Sequence, residues 1–184
     1  MKLVILAGGY GTRLAEETKV KPKPLVKIGN KPIIWHILKI YSYYGINDFI
    51  ICLGYKGDLL IKELNQLTKK ESWNVKYIKT GLRTMTGGRI KKIKKFIKND
   101  QNFCLSYGDG LSDVNIKKLI NFHLKNGKIA TLTAVKYKNP KGILIFGNQS
   151  KIKKIKEKPL EYINGGFFVL SNKIFKFLKN SSTI

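Results

Sequence analysis

The sequence predicts an α/β fold, Rossmann-like, with a mostly parallel sheet flanked by helices, and three observations carry that prediction. Short apolar runs of strand length alternate with segments whose apolar residues recur at helical spacing. The alternation repeats at an interval that suits strand–helix–strand units. Polar, glycine-bearing loops follow strands, where ligands of open α/β sheets are held. At 184 residues the chain has the length of one domain with a sizeable core, and 1–184 is read as a single domain.

The elements follow in order. KLVILA (2–7) is a strand that runs into a glycine loop. In KPIIWHILKIYSYYG, Ile33, Ile34, Ile37, Leu38 and Tyr41 share one helical face, and Gly45 is the stop signal. DFIICLG is the second strand and 57–68 the second helix. WNVKYIKT is the third strand and GGRIKKIKKFIKND one basic amphipathic helix that buries Ile90, Ile93 and Ile97. NFCLSYG and VNIKKLINFHLKNG are the fourth strand and its helix, and IATLTAV the fifth strand. After residue 136 the rhythm changes: GILIFGNQSKIKKIKEKP reads as a hairpin, INGGFFVL as a strand, NKIFKFLKN as a short helix.

The net charge of +25 is spread over every predicted element rather than gathered on one patch. Of the 36 basic residues only Arg13, Arg83 and Arg89 are arginines, the rest lysines. A dedicated nucleic-acid reader favours arginine for bidentate contacts, so the charge reads as compositional bias, with no specific nucleic-acid partner. It still steers small anions toward the chain. No apolar run approaches a membrane span. The opening MKLVILAGG is too short in its apolar part for a signal peptide, and glycines and Arg13 stand where a cleavage site belongs. A cytoplasmic location is expected. Cys52 and Cys104 lie in apolar runs and read as buried thiols.

Two loops beyond strand ends are suited to chemistry. LAGGYGTRL (6–14) offers bare backbone and one fixed cation, the makings of a phosphate cradle, although it fits neither the dinucleotide nor the P-loop fingerprint. SYGDG (106–110) sets Asp109 between glycines, where a carboxylate can hold a divalent cation or merely organise a turn. KPKPL (21–25) stiffens Lys21 and Lys23 between prolines. TMTGGR (84–89), EKP (157–159) and NGG (164–166) complete the set. His36 and His123 sit on or beside apolar helix faces and read as structural.

Taken together and in order, LAGGYGTRL, KPKPL, TGLRTMTGGRIKKIK, FCLSYGDGLSDVN and EKP…INGGFFVL resemble the sugar-nucleotide pyrophosphorylase family, nucleotidyltransferases with a nucleotide-diphospho-sugar transferase fold. TMTGGR and the WHILKIYS stretch resemble its cytidylyl branch, whose substrates are CTP and glucose 1-phosphate and whose products serve cell-surface polysaccharide biosynthesis. The resemblance implies that Leu6, Ala7, Gly8, Gly9, Tyr10, Gly11, Thr12 and Arg13 cradle the nucleotide. Arg13 would act on the developing charge, Lys23 would reach the phosphates, and Thr84, Arg89 and Gly108 would contact the nucleotide. Asp109 would be a ligand of Mg2+, while Glu157, Lys158, Asn164 and Gly165 would hold the sugar 1-phosphate. It matches no requirement at Arg83. It also implies a homo-oligomer, although the join NQLTKKES is shorter than in relatives. The chain is expected to lack the family's C-terminal segment and the second magnesium aspartate that it carries. Two other readings stand beside the enzyme: a catalytically weak nucleotide-binding remnant and a basic nucleic-acid-binding domain.

Overall fold

The structure, a computed structural model, describes residues 1–10, 21–180 and 182–183. The chain divides into two compact units, Met1–Thr131 with Gly166–Ile184, and Leu132–Gly165.

The larger unit is built on β1 (Leu3–Ala7), β4 (Asp48–Leu53), β5 (Asn74–Lys79), β6 (Asn102–Tyr107) and the end of β10 (Leu160–Ser171). Their order across the sheet is β5-β4-β1-β6-β10. Pairings β5–β4, β4–β1 and β1–β6 are parallel, and β10 runs antiparallel to β6, with Phe168 opposite Leu105. The sheet is mostly parallel, as expected, with three of these four pairings parallel. Its first four strands are parallel because each crossover carries a helix. β10 arrives after the rhythm of the sequence has changed, and it turns back along β6.

Alternation within the strands sends side chains to both faces, as a doubly covered sheet requires. Leu3, Ile5, Ala7, Phe49, Ile51 and Leu53 belong to one buried cluster, with helices α1 (Ile33–Tyr43), α2 (Gly57–Thr68) and α5 (Ile116–Asn126) packed over it. Val4, Ile50, Cys52 and Leu105 belong to a second cluster, covered by α3 (Thr86–Lys92) and α4 (Lys94–Ile97). The basic segment expected to form one helix is therefore two. The backbone leaves helical geometry at Ile93 (φ −93°, ψ 2°), whose N–H donates to Ile90 O at 3.1 Å in a tight turn. That turn keeps Ile90, Ile93 and Ile97 all buried. A short hairpin of β2 (Lys27–Ile28) and β3 (Lys31–Pro32) precedes α1.

The second unit contains most of β7 (Ala130–Lys138), the first half of β10, and the expected hairpin, β8 (Ile143–Phe146) against β9 (Ile152–Lys156). Among the described residues no helix is long and apolar enough to cross a membrane.

Candidate active site

Parallel strands end on the same side of a sheet, and beyond those ends the larger unit opens a cavity of about 370 Å³. Its walls come from four separate parts of the sequence. Leu6, Ala7, Gly8, Gly9 and Tyr10 lead out of β1, and Lys23 and Pro24 come from the proline turn. Leu82, Arg83, Thr84 and Met85 lie between β5 and α3, Thr86 and Arg89 belong to α3, and Gly108 and Asp109 follow Tyr107, the last residue of β6. Most of the residues expected to meet the nucleotide are thus brought together. Gly11, Thr12 and Arg13 lie outside the described residues.

Each wall has a local cause. Pro22 and Pro24 flank Lys23 in a 3-10 turn over Lys23–Leu25, with Pro24 and Leu25 buried, so the lysine stem leaves a fixed base. Its ammonium donates to Asp109 Oδ2 at 2.5 Å. Gly108 N–H donates to Leu6 O at 3.1 Å, continuing the β1–β6 ladder one residue past the strand and setting Asp109 at the cavity mouth. A side chain at Gly108 would come within 3.0 Å of Pro24, so the proline turn and the GDG loop need that glycine to sit together.

Arg89 forms the floor and is buried. Its Nη1 donates to Thr80 Oγ1 at 2.5 Å and to Leu53 O at 3.2 Å, and its Nη2 donates to Gly8 O at 3.0 Å and to Leu82 O at 3.4 Å. One guanidinium so ties together the chain at the ends of β1, β4 and β5. Gly8 and Gly54 leave the room for it: a Cβ on Gly8 would lie 2.0 Å from Nη1, and one on Gly54 2.9 Å. Burial lowers the Arg89 pKa, yet a guanidinium starts so high that it stays charged. Thr84 Oγ1 donates to Thr80 O at 2.6 Å, and Lys92 Nζ donates to the same oxygen at 2.7 Å. Thr80 is the joint of this network; it opens the TGLRTMTGGRIKKIK stretch, but the motif by itself gives it no role. Leu82, Met85 and Thr86 belong to the same stretch, and only the packing gives them their places on the cavity wall.

The remaining expected residues lie in the second unit. Glu157 carboxylate stands 3.2 Å from where a Cβ on Gly142 would be. Lys158 holds a left-handed backbone (φ 41°) between it and Pro159. Gly165 approaches Thr133 and Val135 so closely that a Cβ would fall 3.0 Å from Thr133 O and 2.9 Å from Val135 Cγ2. Asn164 is the residue just before it and is exposed.

Neither histidine lines the cavity. His36 Nε2 donates to Ile28 O at 3.0 Å. His123 is buried, with Nε2 at 3.0 Å from Asn102 Oδ1 and Nδ1 at 2.9 Å from Thr131 Oγ1, and burial lowers its pKa. Cys52 and Cys104 are buried free thiols, each pushed up to about 12 by burial.

The donor chemistry of the cavity fits a magnesium ion held through one carboxylate. Asp109 offers hard oxygens at the mouth, and a cation, the Lys23 ammonium, already sits on it. No group of three or more metal-ligating side chains occurs among the described residues, so a metal here would rest on one carboxylate, water and substrate phosphates.

The family model for nucleotidyl transferase matches residues 2–183. The chain is 45% identical over 207 residues to glucose-1-phosphate cytidylyltransferase of Salmonella typhimurium, covering all of this chain and 80% of that protein. It is equally similar, 45% over 207 residues with the same coverage, to the protein of the same name from Salmonella typhi. Among solved structures it is similar to HddC from Yersinia pseudotuberculosis complexed with GMP-PN, with a TM-score of 0.76 at 28% identity, covering 99% of this chain and 81% of that one.

Proposed function

The chain belongs to the nucleotidyl transferase family, and on that premise we propose that it transfers CMP from CTP to α-D-glucose 1-phosphate, giving CDP-glucose and pyrophosphate. The observation that carries the reading is the convergence of the glycine loop, Lys23, Thr84 and Asp109 on one cavity at the ends of parallel strands.

The chemistry asks for little beyond placement. A phosphate oxygen of the sugar 1-phosphate attacks the α-phosphorus of CTP, the bond to the bridging oxygen breaks, and pyrophosphate leaves with that oxygen. No proton has to be moved by a side chain, which suits a cavity without a histidine. What the residues must do is align two anions and neutralise the charge that gathers between them. Leu6, Ala7, Gly8, Gly9 and Tyr10 present backbone to the nucleotide, and Gly108 and Thr84 bound it from other sides. Arg13, in the same loop, is assigned to the developing charge. Lys23 is held by Asp109 now, and a phosphate competes with that carboxylate for its ammonium. Magnesium, when bound at Asp109, supplies charge neutralisation on the phosphates. Glu157, Lys158, Asn164 and Gly165 are assigned to the sugar 1-phosphate on the motif resemblance, and with the reaction go a cytoplasmic location and a homo-oligomer.

The test is product identity. Each of the four common nucleoside triphosphates is offered with glucose 1-phosphate and magnesium, and the products are weighed by mass spectrometry. CDP-glucose is expected to dominate; a different dominant nucleotide sugar overturns the assignment of base or sugar.

A further inference from the structure

Among the described residues, three cationic side chains line the cavity: Lys23, Arg83 and Arg89. Two are committed to the protein. The Lys23 ammonium is paired with Asp109, and both terminal nitrogens of Arg89 are spent on four oxygens of the floor. Arg83 differs. It is exposed, it stands in the loop between β5 and α3, and its guanidinium makes no hydrogen bond or ion pair with a described residue.

The composition points the same way. The basic side chains of this molecule are lysines throughout, except at three positions. Arg83 and Arg89 line the cavity, and Arg13 stands in the motif LAGGYGTRL. Two of the three arginines of a lysine-dominated chain thus line one cavity, beside Lys23. Arg89 shows one reason to keep arginine, since only a planar fork reaches four acceptors at once. The reason at Arg83 is a different one, because it holds no acceptor among the described residues. The same fork matches two oxygens of a phosphate, which an ammonium cannot do.

We infer that Arg83 is a phosphate-contacting residue of the nucleotide site, supplying to an incoming triphosphate a positive charge that no described residue engages. The inference rests on the reading of the cavity as a CTP site and adds to it a residue that the motif resemblance leaves unassigned. Being exposed, Arg83 can be replaced without disturbing the buried floor.

The test is isothermal titration of CTP and of cytidine into the wild-type chain, Arg83→Gln and Arg83→Lys. Arg83→Gln is expected to weaken CTP about tenfold, the loss of one charge-assisted contact. Cytidine, which has no phosphate, should bind all three proteins alike, and Arg83→Lys should recover part of the CTP affinity. CTP affinity unchanged in Arg83→Gln overturns the inference, as does an equal weakening of CTP and cytidine. If cytidine binds the wild type as well as CTP does, the phosphate reading of the cavity fails, and this inference with it.

Discussion

Burying a guanidinium without a carboxylate beside it costs solvation energy, and Arg89 offsets the cost with three backbone carbonyls and one hydroxyl. Each acceptor is also a place where the chain is pinned, so this residue sets the position of Gly8 and through it the entry of the glycine loop. Arg89→Ala leaves those oxygens buried and unpaired, and is predicted to lower stability by about 3 kcal/mol; urea unfolding measures it, and a loss under about 1 kcal/mol would show that water replaces the guanidinium freely. Asp109→Ala should flatten the response of turnover to magnesium, and a titration that still follows the wild-type curve removes Asp109 as a ligand. The motifs announced both residues but not their surroundings. Glycines, prolines and Asp109 are legible because few other residue types can do their work, whereas Thr80, Leu82 and Met85 acquire their places from the packing of distant segments.

The elements follow their sequence signals where the signals are local. α1 and α2 occupy the predicted spans because their apolar residues face one cluster, and α5 begins at a capping residue, Asn115, whose side chain accepts from Lys118 N–H at 2.9 Å. Asn115→Ala should cost about 1 kcal/mol in unfolding free energy, and no change in the urea midpoint would show the cap to be idle. The break at Ile93 was not legible: apolar spacing alone continues the helix, and only the tight turn at Ile90–Ile93 reveals two pieces. α5 also carries a pH dependence. His123 has a folded pKa below its ordinary value of 6.5 because it is buried, so the unfolded chain binds the proton more readily. Its contribution to stability is therefore complete above about pH 6.5 and is lost as pH falls through the lower folded pKa. Urea midpoints are predicted to drop between pH 7.5 and 5.5 more steeply in the wild type than in His123→Gln; parallel curves would contradict this.

At the scale of the whole molecule, order in the chain becomes order in space through the sheet. Four parallel strands bring the loops after β1, β5 and β6 to one side, which is why motifs separated by about a hundred residues share one cavity. The parallel part of this architecture was legible from the strand–helix rhythm. The antiparallel return of β10 was not, since a strand's direction depends on the path before it. The division into two units was also invisible in a sequence with no linker. The charge of +25 plays a diffuse part: it attracts anions to the whole surface, while the cavity decides which are kept. On the proposed function, this cavity carries out nucleotidyl transfer between two phosphates. The most direct measurement is pyrophosphate release from CTP, glucose 1-phosphate and magnesium by the purified chain. Release that requires both substrates is the predicted result; release from CTP alone, or none while CTP still binds, would contradict the account.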